Sequence, residues 1–558
     1  MFAYFISYLY LWNYVKDNSK YFMMNRFKYF LLLCVCALGV NAQDNLSALL
    51  PMPQKVELKE GKHFDFAKVG AIECSMSDSL FVIEELKDIV ALRTGIQLPA
   101  AGSNRIVIKE KSEAMPESYT IDIDRRCITI EGSRSGIYYA LKTLDQLLLG
   151  DACNSALGKA APVRIDDAPR YGYRAVMLDP ARHFLPVDDV KFFIDQMAKY
   201  KYNVLQLHLT DDQGWRVEIK SHPRLTEIGA HRNPSGGDNG PDNGFYTQKQ
   251  LKDLVSYAAE RNVEIVPELD IPGHSVAILA AYPHLGCAFR HGDEKNLGRT
   301  TNMMVCAHCD EVYSVYRDII GEIAAIFPSR YIHLGGDEAA VKENWAKCDD
   351  CKALMEKHGY IEPSQLMNIF FGRMLEFVRE NGKEAILWCE LDNIWPPAHD
   401  YLFPYPQDVT LVTWRNALTP KCMELTHKYG HKLIMAPGEH TYLDYPQWSN
   451  DLPEYNNWGM PITSLETSYK LDPAYGKSLE ETANVMGVMA TMWAEAIKDI
   501  NRVNYMFFPR GLAIAEAGWS SMEQRSWESF KQRIYPNLYD LMRCGVSFRV
   551  PFEIAPRR

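Results

Sequence analysis

From Tyr173 onward the chain repeats one pattern. A short, unbroken apolar run is followed by a longer stretch with apolar residues at helical spacing. The runs cover 174–178, 203–209, 263–269, 331–334, 384–389, 409–414, 432–436 and 485–493. Runs that are apolar on both faces predict parallel strands covered on each side. Between them, 187–200, 248–261, 312–327 and 364–380 predict amphipathic helices. Strands alternating with helices in this way predict an α/β fold, a (β/α)8 TIM barrel spanning 166–558, with 527–542 as a closing C-terminal helix. A doubly wound sheet is the alternative, but no Gly-rich phosphate turn follows the first run.

The pattern before Tyr173 is different. Residues 43–165 predict a smaller α+β domain: a helix at 81–93, a short strand at 105–109, a hairpin from 119–123 and 128–130, and a helix at 135–149. Asp166-Asp167-Ala168-Pro169 marks the linker. Further upstream, Asn25-Arg26-Phe27-Lys28, the apolar core 29–38 and Val40-Asn41-Ala42 read as a signal peptide in the region 1–42, cleaved near Ala42. It starts at Met23 or Met24, and residues 1–22 fit a mis-assigned start. An uncleaved anchor is the alternative, but the apolar run is short for a spanning helix. The expected location is the periplasm or the medium.

Composition narrows the function. A chain of 558 residues with 47% apolar and 23% charged residues is globular and can bury a large core. A net charge of -11 without a basic block argues against nucleic acid. The 11 Trp and 31 Tyr suit a protein that stacks rings on sugars.

The candidate chemistry lies where the apolar runs end. The fourth ends Gly335-Gly336-Asp337-Glu338. Alone, this could be a turn that starts a helix, because acidic residues favour helix N-termini. Other runs also end in polar residues: Asp179 to Phe184, His208 to Arg216, Glu268 to His274, Trp388-Cys389-Glu390, Tyr442-Leu443-Asp444 and Trp493-Ala494-Glu495. So many at one rim predict a polar cavity with aromatic walls, which suits a sugar. A metal-dependent hydrolase using His183, His208, His274 and His333 is a competing reading. It lacks a His-x-His pair on the first strand. A glycan-binding protein without catalysis is another, and the presence of Asp337 and Glu338 weighs against it.

His333-Leu334-Gly335-Gly336-Asp337-Glu338 resembles the signature of the β-N-acetylhexosaminidases, glycoside hydrolase family 20. Arg182-His183-Phe184, 208–216, 267–274, Tyr442-Leu443-Asp444, Trp493-Ala494-Glu495 and Phe508-Pro509-Arg510 resemble that family's pattern in order. The resemblance implies exo-acting removal of terminal β-linked N-acetylhexosamine from a glycan. The substrate's acetamido oxygen is then the nucleophile, Glu338 the acid/base and Asp337 the orienting residue, an exception to the usual two-carboxylate scheme. It further implies catalytic support from Asp270 and His274. Arg174, Trp388, Tyr442, Asp444, Trp493 and Glu495 are implied as substrate-binding residues. Trp414 and Trp458 are additional aromatic candidates. No cofactor is implied for catalysis. The chain departs from the family with Cys389 between Trp388 and Glu390. It also lacks a second upstream tryptophan, where Phe370 or Phe371 lies nearest.

Of the 13 cysteines, Cys306 and Cys309 form one Cys-x-x-Cys pair and Cys348 and Cys351 another. Disulfides suit an exported protein. A structural Zn2+ suits four thiolates at this spacing.

Overall fold

The computed structural model describes residues 46–554, apart from 78, 233–241, 288–302, 391–405, 450 and 452–459. The expected signal segment, residues 1–42, lies outside the described residues.

The apolar runs form a closed barrel of parallel strands. They are β1 Tyr173–Leu178, β2 Val204–His208, β3 Glu264–Ile271, β4 Tyr331–Gly335, β5 Glu384–Trp388, β6 Thr410–Thr413, β7 Leu433–Met435 and β8 Val485–Met492. Each pairs with the next, and β8 closes on β1 through Gly487 opposite Tyr173 to Met492 opposite Leu178. The strands read as continuous apolar runs because both faces are covered. One face meets the helices Val187–Lys199, Gln248–Ala259, Asp310–Ile326 and Leu366–Glu380, whose apolar sides join the large outer core. The other fills the barrel with Ala175, Met177, Val204, Val266, Ile386, Val412, Ile434 and Met489. Trp388, Tyr442 and Trp493 belong to the same inner cluster and lie at or just beyond the strands' C-terminal ends.

The smaller domain is a six-stranded sheet ordered Lys55–Leu58, Val163–Asp167, Tyr119–Ile123, Cys127–Gly132, Asn104–Glu110 and Val69–Cys74. The expected hairpin is present, with Ile121 opposite Ile130. The last strand runs to Asp167, two residues past the expected boundary at 165, because Asp166 and Asp167 still pair with Thr120 and Tyr119. Trp519 of the barrel is buried in this domain's core, and its indole N–H donates to Asp167 at 3.0 Å. Lys201 Nζ meets the Asp167 carboxylate at 3.1 Å, with both side chains fully buried. These contacts dock the small domain on the barrel face that holds the N-terminal ends of β1 and β2.

Candidate active site

Strand direction places every rim residue. Each barrel strand points its C-terminal end at the same opening, so the loops leaving β1 to β8 converge there. At the end of β4 the backbone turns through Gly335 and Gly336, with φ of 65° and 99°. A Cβ on Gly335 would meet the Asp270 carboxylate at 1.8 Å, so glycine is required for that close approach. Glu338 itself is held in the left-handed region, with φ of 47°, as is His274 with φ of 46°. Such backbone costs energy and recurs at functional sites. Asp337 is buried, whereas the Glu338 side chain is half-exposed toward the opening.

A charged network lies under this turn. His274 Nε2 stands 3.8 Å from Asp337 and 4.0 Å from Glu338, while its Nδ1 meets Asp211 at 3.2 Å. Asp211 also meets Arg182 at 2.7 Å and His208 at 2.7 Å. Burial lowers the His274 pKa, but the charges of Asp211 and Asp270 outweigh it and hold the ring well above the usual histidine range. Its protonated form is favoured, and it faces both carboxylates of the turn. Burial pushes Asp337 up to about 6, and His274 only partly opposes this. Burial and the Asp337 charge raise Asp270 well above the usual range.

The aromatic wall is built from three strands and the loop after β7. Trp388 and Trp493 lie with ring centroids 5.7 Å apart, and Tyr442 lies 6.4 Å from Trp493. Trp414 stacks on Tyr442 at 6.4 Å with an interplanar angle of 7°. Trp388 is fixed by its indole N–H donating to Glu268 at 2.8 Å. Glu268 is in turn held by His208 and His333 at 3.0 and 3.2 Å. Burial holds the Tyr442 hydroxyl protonated, so it can donate. Among the described residues, Asp337 Oδ1, Glu495 Oε2 and Trp414 Nε1 are buried polar atoms with no hydrogen-bond partner. A bound polar molecule is the natural way to satisfy them.

Two family models match the chain. The catalytic domain of glycosyl hydrolase family 20 matches residues 171–522, and domain 2 of the same family matches residues 46–168. The chain belongs to glycosyl hydrolase family 20. It is 40% identical to a beta-hexosaminidase of Akkermansia muciniphila over 72% of this chain and 79% of that protein. It is 33% identical to a beta-hexosaminidase of Porphyromonas gingivalis over 85% of this chain, spanning 60% of that longer protein. Among solved structures, a beta-N-acetylhexosaminidase superposes with a TM-score of 0.75 at 32% identity, covering 92% of this chain and 99% of that one. A mutant Streptomyces plicatus beta-hexosaminidase in complex with product (GlcNAc) gives a TM-score of 0.75 at 30% identity, covering 90% and 96%.

With the family 20 geometry in view, Asp337, Glu338, Asp270, His274, Trp388, Tyr442 and Trp493 all lie around one opening, and Asp444 and Glu495 follow directly on its rim. Arg174 is the exception and does not belong to this opening. It is the second residue of β1, at the opposite end of the barrel. Its guanidinium is bound to Glu117 of the small domain by two 2.8 Å hydrogen bonds, and to the carbonyls of Lys201 and Tyr171. The arginine at the sugar end is Arg182, just beyond β1. It lies 4.9 Å from the Trp493 ring centroid and bonds Asp179 and Asp211.

Trp414 stacks on Tyr442 beside this opening, while Phe371 packs behind Gly336. Glu390 is buried, pushed up to about 7 by that burial, and accepts the Glu338 backbone N–H at 3.0 Å. It also pairs with Arg415 at 3.3 Å. Its position directly after Trp388-Cys389 was the available signal. Trp458 lies outside the described residues. The histidines do not form a shared ligand set: His208 and His333 face Glu268, and His183 Nδ1 contacts the Ala494 carbonyl. Family 20 catalysis needs no cofactor. Of the paired cysteines, Cys306, Cys348 and Cys351 converge, but Cys287 takes the place expected of Cys309. Among the described residues none of these cysteines is joined in a disulfide.

Proposed function

We infer that the protein is an exo-acting β-N-acetylhexosaminidase that works by substrate-assisted, retaining hydrolysis. One observation carries the mechanism. Asp337 and Glu338 both approach the same nitrogen of His274, at 3.8 and 4.0 Å, so they stand on one side of the cavity. Two carboxylates on one side do not flank a sugar as acid and nucleophile. The 2-acetamido oxygen of the substrate fills the missing role. It attacks the anomeric carbon while Glu338 protonates the departing glycosidic oxygen, giving a bicyclic oxazolinium ion. Asp337 accepts the acetamide N–H and its charge opposes the positive charge that develops there. Tyr442 donates to the acetamide oxygen and aims it. Glu338 then takes a proton from water as that water attacks the anomeric carbon, and the acetamide is restored with net retention.

The remaining rim residues explain the exo action. Trp388, Trp414 and Trp493 wall the acetamide and the ring's C–H face. Arg182, Asp444 and Glu495 supply partners for the non-reducing hydroxyls, which closes the pocket to a chain that continues there. Hydrolysis of a chromogenic β-N-acetylglucosaminide tests the reading. Turnover by the wild type is expected, with a loss of about 10³-fold in Glu338→Gln. No turnover by the wild type, or full turnover by the variant, overturns it.

The enzyme is, in the same reading, exported to the periplasm or medium, where glycans are met. Support comes from the basic, apolar and small-residue succession across 25–42. No helix among the described residues is long and apolar enough to cross a membrane. N-terminal sequencing of the cell-produced protein should begin at Gln43. Retention of residues 25–42 would contradict export by cleavage.

A further inference from the structure

We propose that Cys287, Cys306, Cys348 and Cys351 form a structural zinc site that braces the loops carrying the catalytic residues. One ligand atom from each lies within 4.8 Å of every other, and all four residues are buried. Cys306 and Cys351 stand with sulfurs 3.6 Å apart. Four sulfurs at about 2.3 Å from a tetrahedral zinc stand about 3.8 Å from one another, which is this spacing. Two disulfides would instead gather the sulfurs into bonded pairs, and no described cysteine is bonded.

The fold builds the cluster from two separate parts. An antiparallel bridge between Gly286 and Val305 sets Cys287 beside Cys306, and the Cys306 N–H donates to the Leu285 carbonyl at 2.8 Å. Cys348 and Cys351 lie on one face because Cys348 precedes the helix Asp349–His358 and Cys351 falls in its first turn. The Trp345 indole N–H joins the two parts by donating to the Val305 carbonyl at 2.9 Å. The backbone N–H groups of His308 and Cys309 point to the Cys306 sulfur. Cys309 is left to precede the helix Asp310–Ile326 and takes no part.

The position gives the metal its role. Val305 N–H donates to the Pro272 carbonyl at 3.2 Å, in the turn between Asp270 and His274. Met304 N–H donates to Asn344 Oδ1 at 3.0 Å, in the segment that follows Glu338. A zinc ion here ties the loop after β3 to the loop after β4. Binding displaces the thiol protons to solvent and leaves zinc in four thiolates, with no change of oxidation state.

Zinc analysis and X-ray absorption on the purified full-length enzyme test this. The expected result is one zinc per chain with four sulfurs at about 2.3 Å. Cys287→Ser should lose the zinc and Cys309→Ser should keep it. Chelation under mild denaturation should lower the melting temperature, and added zinc should restore it. If Cys287→Ser does not fold, the sulfur count in the wild type still decides. A zinc-free enzyme, disulfides found by non-reducing peptide mapping, a shell with fewer sulfurs, or dependence on Cys309 rather than Cys287 overturns the proposal. Because the readouts are metal content and coordination, failure here is distinct from failure of the glycosidase reading.

Discussion

The two ends of the barrel are made of the same residue types and behave differently. At the N-terminal end, Arg174 meets Glu117, and Lys201 meets Asp167, with side chains that are almost wholly buried. Each charge there faces an opposite charge, and the small domain seals the layer. At the C-terminal end, Asp337, Asp270, Asp211, His274 and Arg182 are also largely buried, but carboxylates crowd one another. There Asp337 and Glu495 keep buried oxygens without hydrogen-bond partners among the described residues. A buried charge that is paired holds structure together, while one kept partly unsatisfied is ready for a substrate.

The strongest way to break that contrast is at Asp337. Asp337→Asn should lower kcat by about 10³-fold while binding of a competitive sugar analogue persists, because it removes charge stabilisation that matters most in the transition state. Unchanged turnover would remove Asp337 from the mechanism. Next comes a paired test of the two arginines. Arg182→Ala should lower kcat/KM per folded molecule by about 10²-fold, since it deletes charge-assisted contacts to hydroxyls, and it also costs stability by stranding the buried Asp179 and Asp211. Arg174→Ala should instead cost about 3 kcal/mol of stability by stranding Glu117, with kcat/KM per folded molecule unchanged. The opposite result would return Arg174 to the sugar site.

The smallest effects concern protons. Asp337 must be ionised to act, and burial holds it up to about 6, so kcat/KM should rise with pH through about 6. The stability sign runs the other way. A carboxyl raised in the folded state takes its proton before the unfolded chain does, so its cost is present above about 6 and relieved as pH falls through that value. Asp337→Asn should therefore stabilise the protein by about 1 kcal/mol at pH 7, with less gain at pH 5. Equal gain at both values would show that Asp337 is not the titrating group.

The fold was legible in the sequence because parallel strands buried on both faces leave an apolar signature that loops do not share. That signature located β1 to β8 to within a few residues. It also carried Trp388, Trp493, Asp337 and Glu338, which lie at or next to strand ends. Arg174 was misread although the information was present. A six-residue strand spans about 20 Å, so an arginine at its start and one beyond its end stand at opposite faces of the barrel. Cys287 was not legible. It reaches the other sulfurs only through the Gly286–Val305 bridge, a long-range contact that Cys-x-x-Cys spacing does not report. Trp414, already a candidate in the sequence, stacks on Tyr442 from the end of the neighbouring strand.

The central claim is that the nucleophile belongs to the substrate. Hydrolysis of aryl β-glucosaminides carrying N-acetyl, N-fluoroacetyl, N-difluoroacetyl and N-trifluoroacetyl groups tests it most directly. Each fluorine withdraws electrons from the acyl oxygen without moving the scissile bond. If that oxygen attacks the anomeric carbon, kcat/KM falls stepwise along the series. A rate indifferent to fluorination, or a sugar ester trapped on a carboxylate of the enzyme, would contradict the account.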